Sequence, residues 1–267
     1  MHADHEIRRY QDVQFPYSAF KTRNLQFMAH WHDEIEIILV LEGKMVMGLN
    51  QKEHLLVAGD IGVSTSQDIH YYTRQAESTI IILIFRPELI PRGAAWLATP
   101  QDASGLRCFQ NPEAATLIET IQKEMVIKAQ DWQSAILGHT AALSVLVGRA
   151  LFPHPATSVV PHRHLRMQKA LEYLQDHFRE DLTMEQVAQE VALSPWAFSH
   201  QFSPTVGMNF RSYLNGLRIL EARRLLADPQ RKVIDVALEC GFTSLRSFNR
   251  AFKQQTSETP SVSRFSS

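Results

Sequence analysis

Val187-Ala188-Gln189-Glu190-Val191-Ala192-Leu193-Ser194 is answered 49 positions later by Val236-Ala237-Leu238-Glu239-Cys240-Gly241-Phe242-Thr243. Phe198-Ser199-His200-Gln201-Phe202 then returns as Phe248-Asn249-Arg250-Ala251-Phe252, at an offset of 50. Each copy opens with a Val-Ala pair suited to the inner face of a short helix. A three-residue turn follows, ending in Ser194 or Thr243, residues with N-cap chemistry. The second helix of each copy carries Phe at i and i+4, on one face. Helix, short turn, helix is the helix-turn-helix plan: the first helix buries its face and props the second, whose outer face enters the major groove.

The flanking residues are helical by the same signals. Thr183 to Gln186 has capping-box spacing, and Ser194-Pro195 offers an N-cap followed by proline at the first helical position. Apolar residues recur at three and four over 165–178 and 210–226, the latter stopped by Asp228-Pro229. Gly241 supplies the turn between helices at 233–240 and 245–254. With Phe248 and Phe252 inward, the neighbouring stripe is Arg246, Asn249, Arg250 and Lys253. Two guanidiniums, an amide and an ammonium in one line suit base edges and phosphates. The plainer reading is a solvated basic face. In the first copy the stripe is Trp196, Ser199, His200 and Ser203, where Trp196 reads equally as a base or sugar contact and as a partly buried core aromatic.

The first hundred residues have a different period. Runs at 26–32, 34–41, 44–49, 53–57, 60–64 and 79–85 are rich in β-branched and aromatic residues, with turn signals at Gly43, Asn50 and Gly59. Regular short strands with tight turns predict a sandwich or barrel. Residues 112–128 and 132–152 then read as two helices with a break at Gln130-Asp131, and Pro153-His154-Pro155 opens a boundary that runs to Pro161.

At 267 residues the chain has room for two cores. Its net charge of −1 hides an asymmetry: residues 1–160 carry 13 Lys+Arg against 17 Asp+Glu, and residues 161–267 carry 14 against 11. Only the second part is suited to approach a polyanion. Cys108 and Cys240 are the only cysteines, outside any ligand-like spacing. The start shows no basic-then-apolar leader, and no run of about eighteen uncharged apolar residues occurs, so the expectation is a cytoplasmic protein without a membrane segment.

The stretch 182–260 resembles the AraC/XylS transcription regulators. The pieces that carry the resemblance are LSPWAFSHQF, VGMNFRSYLNGLRILEARRLL, and VIDVALECGFTSLRSFNRAFKQQT followed by ETPS. The resemblance implies two helix-turn-helix subdomains joined by a rigid helix at 210–226, reading successive major-groove segments of operator DNA. By position it implies DNA contacts from Trp196, Ala197, Ser199 and His200, and from Ser244, Leu245, Arg246, Asn249 and Arg250. Three departures stand out: His200 where the family usually has Arg, Ser203 and Pro204 where it has basic residues, and Ser257 for a usual Gly. Pro204 is expected to cut its helix short, leaving the second unit to supply more of the phosphate binding.

His30-Trp31-His32, then Glu36, then Gly43 reproduces the spacing of the first cupin motif, and Gly59-Asp60 with His70 matches the second in part. Families of this kind commonly carry a cupin barrel as effector domain. Three readings follow for His30, His32, Glu36 and His70. They bind an effector's hydroxyls, with Trp31, Tyr71 or Phe27 stacking on a sugar-like ring; they hold zinc, nickel, iron or manganese; or they line the barrel without a ligand. The full expectation is an α+β multidomain protein: a cupin-like β-barrel at 1–110, a helical dimerisation segment at 111–152, a linker at 153–162 and an AraC-type domain at 163–267, with helix-turn-helix units at about 183–203 and 233–254. It is expected to be a regulator rather than an enzyme, controlled by a small molecule such as a carbohydrate. Its partners would be operator DNA, RNA polymerase and a second copy of itself. No cofactor is required by this reading; a metal-dependent cupin enzyme or metal sensor fused to a DNA reader is the alternative.

Overall fold

The computed structural model describes residues 15–90, 107–152, 162–256 and 258–260. All but the last residue of the expected linker, 153–162, lies outside them, as does Ser257. The chain divides near residue 165 into two compact units.

The N-terminal unit is a seven-stranded antiparallel sheet with two helices: β1 (Tyr17–Arg23), β2 (Phe27–His30), β3 (Ile35–Leu49), β4 (Lys52–Val57), β5 (Asp60–Ser64), β6 (His70–Phe85), β7 (Cys108–Gln110), α1 (Pro112–Ile127) and α2 (Trp132–Leu151). The pairing order is β1-β6-β3-β5-β7, with β2 added to β6 and β4 to β3. Among the described residues this path does not close on itself, so the cupin-like enclosure comes from the two long strands. β3 and β6 stay paired from Ile35↔Phe85 to Leu49↔His70, with register shifts around Glu42 and Gly43. Before the shift β3 also pairs β5, and after it β4. Gly43 makes that bend possible: its φ is +76°, and a Cβ there would lie 1.8 Å from the Glu77 carbonyl oxygen.

Sequence reading split β3 at Gly43 and began β6 at 79. The strand instead runs through the glycine as a bulge. The first half of β6 was missed because its outer face, around Arg74 and Gln75, is solvated and breaks the apolar alternation. β1 and β7, short and half polar, were missed for the same reason.

Buried on both faces, β3 feeds two cores. Ile35, Ile37 and Leu39 join Leu83 and Phe85 beneath Ile118, Ile121, Ile136, Leu143 and Val147 of the helices. Ile38 and Val40 face the other way, toward Met47, Leu56, Tyr72 and Ile82. The apolar stripes of α1 and α2 are therefore taken up by their own sheet; Val126, Ile127 and Val145 are what these helices leave exposed. α2 is long and apolar enough by composition to cross a membrane, but its apolar residues at 136, 143, 147 and 151 are buried in this core.

The C-terminal unit is helical: α3 (His162–His177), α4 (Met184–Glu190), α5 (Pro195–Val206), α6 (Phe210–Leu226), α7 (Val233–Glu239) and α8 (Leu245–Thr256). The capping box forms, Thr183 Oγ1 accepting from Gln186 N and Gln186 Oε1 accepting from Thr183 N. Pro204 does not end α5, which continues to Val206. So late in a helix, the missing N–H costs only one hydrogen bond.

Candidate functional site

Each helix-turn-helix unit is built on its own aromatic core. Val187, Ala188, Phe198 and Phe202 are buried in the first, and Val236, Ala237, Phe248 and Phe252 in the second. α6 serves both. Its early residues meet the first core, where Tyr213 lies edge-on to Phe202 at 5.6 Å. Its later residues, Ile219, Ala222, Leu225 and Leu226, belong to the second. Midway, buried Arg218 donates to the carbonyls of Phe178 and Glu180, both at 2.7 Å, closing the chain end of α3. A shared helix of 17 residues, roughly 25 Å long, thus fixes the spacing of the two outer helices.

Those outer faces are open. Trp196, Ser199 and His200 on α5 are exposed, and Ala197 is half-buried. Trp196 is 76% exposed, which removes the core-aromatic reading, and its indole stacks on His200 at 5.3 Å between ring centres. Ser194 Oγ caps α5 by accepting from Ala197 N. On α8, Ser244, Leu245, Arg246, Asn249, Arg250 and Lys253 are all exposed. Ser244 also caps the helix, accepting from Ser247 N at 3.2 Å. Among the described residues Arg246, Arg250 and Lys253 have no acidic partner, whereas Arg179 and Arg224 share Glu221 and Arg231 is held by Glu239. The three cations of α8 are thus available to a polyanion.

In the N-terminal unit the topology gathers His30, His32, Glu36 and His70, each at most 4% exposed. β2 pairs with β6 so that His30 faces His70, the rings 4.2 Å apart. Glu36 points from β3 into the same space, and His32 arrives from the β2–β3 loop. One ligand atom from each of the four lies within 4.8 Å of all the others. His32 Nε2 is 2.9 Å from Glu36 Oε1, and Tyr72 donates its hydroxyl proton to Glu36 Oε2 at 2.5 Å.

The imidazole tautomers follow from their neighbours. His30 Nδ1 donates to the Met28 carbonyl and His70 Nδ1 to the Asp68 carbonyl, each at 2.9 Å. With Nδ1 so engaged, Nε2 is the ring nitrogen that each histidine turns toward the cluster, and that of His70 stands 3.4 Å from Glu36 Oε2. Burial, then the neighbouring His70 and His32, holds His30 well below the usual imidazole range, so it stays neutral. Burial alone would raise Glu36, but the facing His70 and His32 hold the carboxyl well below its usual range. Burial and the Glu36 charge raise the Tyr72 phenol, keeping it a donor. A buried carboxylate facing imidazole nitrogens is stabilised by positive charge between them, either a proton on an imidazole or a metal ion. Imidazoles tied through Nδ1 to carbonyls, beside a hydrogen-bonded carboxylate, are the supports a bound metal requires.

The aromatic residues expected in an effector site divide between the cluster and other parts of the sheet. Tyr71 is on the opposite face of β6, its ring against Gly48 and its hydroxyl donated to Glu53. Trp31 is half-buried, and Phe27 stands edge-on to His30 at 4.5 Å. Sequence reading missed Tyr72 and Ser64, whose Oγ lies 3.1 Å from His70 Nδ1. Tyr72 was within reach, since two residues along a strand share a face.

Comparison with known proteins agrees with this architecture. The family described as "AraC-like ligand binding domain" matches residues 16–147, and "Helix-turn-helix domain" matches 187–264. The HTH-type transcriptional activator RhaS of Escherichia coli O1:K1 is 24% identical over 242 residues, 88% of this chain and 86% of that protein. RhaS of Klebsiella pneumoniae strain 342 is 24% identical over 244. Among solved structures, an apo ToxT variant from Vibrio cholerae covers 95% of this chain and 98% of its own, with a TM-score of 0.52 at 12% identity, a likeness of fold. With a ligand-binding domain and a helix-turn-helix domain matched in this order across most of its length, the chain belongs to the AraC-type transcription regulators and is a DNA-binding protein with an N-terminal effector domain.

Proposed function

We propose that this chain is an effector-responsive transcription activator in which α5 and α8 enter successive major-groove segments, while the sheet domain senses a small molecule at a divalent metal held by His30, His32, Glu36 and His70. The observation that carries the metal reading is the convergence of four buried ligand atoms within 4.8 Å. Three imidazoles and a carboxylate suit zinc, nickel, iron or manganese. The metal would offer an effector an open coordination position, and fusion to a DNA-reading half favours sensing over catalysis as the role of the cluster.

On the DNA side, Arg246, Asn249 and Arg250 contact base edges and phosphates, with Lys253 on phosphate. Trp196, Ala197, Ser199, His200, Ser244 and Leu245 supply sugar, methyl and phosphate contacts. The protein acts in the cytoplasm, binds its operator as a homodimer and recruits RNA polymerase. Exposed Val126, Ile127 and Val145 on α1 and α2 leave apolar surface for a second copy. A second reading keeps the four residues as direct partners of a carbohydrate's hydroxyls, favoured by the aromatic edge of Phe27 beside His30. Metal analysis of the purified chain, with DNase footprints on its own upstream DNA before and after chelation, separates the two. Near-stoichiometric metal lost in His70→Ala supports the first; absence of metal under every loading condition removes it.

A further inference from the structure

The largest fully buried side chain described is a cation outside this cluster: Arg107, just before β7, is 0% exposed. Its Nη1 donates to Asp68 Oδ2 at 3.0 Å, while Nε and Nη2 are buried without a partner. These two nitrogens form one edge of the guanidinium, since the N–H of Nε and one N–H of Nη2 run parallel. That edge is the fork that grips the two oxygens of a carboxylate. A guanidinium edge in the protein interior needs hydrogen-bond acceptors.

Asp68 does not depend on Arg107 alone. Its carboxylate also accepts from Thr65 N at 2.9 Å, Thr65 Oγ1 at 2.7 Å and Asn50 Nδ2. Four donors thus stabilise one carboxylate, and Arg107 is only one of them. Arg107 Cζ stands over the Phe152 ring, 5.4 Å from its centroid, which gives the site an apolar neighbour. His54 also feels Arg107: burial, then the guanidinium charge, then that of Lys52, lowers its imidazole. Asp68 already offsets the Arg107 charge, so a singly charged carboxylate brings less excess negative charge into the interior than a doubly charged phosphate would.

We propose that the Nε–Nη2 edge of Arg107 binds the carboxylate of a small organic acid, making the effector a monocarboxylate. This rests on the reading of the sheet domain as an effector domain. Through Asp68, whose main-chain carbonyl orients His70, the anion site and the histidine cluster share one turn of chain.

The test uses the full chain and matched pairs of probes at constant ionic strength: acetate and acetamide, lactate and lactamide, benzoate and benzamide, gluconate and glucose. Thermal melting and calorimetric titration are run on wild type and on Arg107→Lys, which keeps the charge and the Asp68 pair but loses the fork. Arg107→Met combined with Asp68→Asn serves if the lysine variant does not fold. At least one carboxylate is expected to raise Tm by about 5 °C or more at a hundredfold excess over Kd, its neutral partner to have no effect, and its affinity to fall tenfold or more in the variant. The proposal is overturned if no acid shifts the melt, if the neutral partner binds as well, or if the variant binds unchanged, which leaves internal water on the fork. Binding that survives chelation yet leaves operator affinity unaltered keeps the anion site and removes its regulatory role.

Discussion

Trp196 shows how much an exposed residue discloses. An indole left 76% in solvent, stacked on one imidazole, contributes little to the folded core, so its retention on the outer face of α5 points to an external partner. Trp196→Ala is therefore expected to leave Tm within about 1 °C and to weaken operator binding by ~1–2 kcal/mol. Gel shift and melting of the same preparation read both; a variant that melts early and binds normally removes the DNA role. The two thiols make the opposite point. Cys240 is fully buried in the second helix-turn-helix core, and burial, followed by Glu221 and Glu239, pushes its thiol up to about 12. Cys108 is only partly buried, with burial and Asp60 raising it more modestly. The native chain is expected to consume one equivalent of a thiol reagent slowly at neutral pH, at Cys108, and the second only on unfolding. Rapid reaction of both would mean that the second unit opens.

At the scale of elements, the helix-turn-helix repeat was legible because both copies solve one packing problem with the same residues. Val-Ala and the paired phenylalanines are buried in each, and their spacing states the helix period directly. The turns differ informatively. Ala192 and Gly241 occupy equivalent positions, with φ of 53° and 85°. A Cβ on Gly241 would meet the Arg179 carbonyl oxygen at 2.5 Å, whereas Ala192 is exposed. Ala192→Gly is expected to stabilise the first unit by ~0.5–1 kcal/mol, relieving left-handed strain in excess of the entropy lost. Gly241→Ala is expected to destabilise the second by about 2 kcal/mol or more. Urea titrations decide it, and equal effects at the two sites would contradict this account of the turns. The histidine cluster was half legible. Its four members carry motif spacing, but their supports do not, because the Met28 and Asp68 carbonyls and the Tyr72 hydroxyl are placed by register between strands. The sequence pattern of α1 and α2 showed apolar stripes without saying what covers them; the sheet does.

At the scale of the whole molecule, the near-neutral chain divides its charge as it divides its cores. The acidic part carries the buried cluster and the basic part carries the unpaired cations of α8. This division permits effector binding and DNA binding to be removed separately. Each phosphate neutralised contributes about −0.9 to the slope of log K against log salt. Lys253→Ala is therefore expected to flatten that slope by about 1 on any duplex. Arg250→Ala, losing a base or phosphate contact, should cost ~1–3 kcal/mol on the operator. His70→Ala should change neither slope nor basal affinity, but should abolish the response of operator binding to whichever effector shifts the melting of wild type, because a ligand acts only through its differential affinity for the two states. Fluorescence-anisotropy titrations at three salt concentrations, with and without that effector, measure all of these together. If His70→Ala alters the slope as strongly as Lys253→Ala does, the two parts are not separable and the effector domain is part of the DNA interface itself.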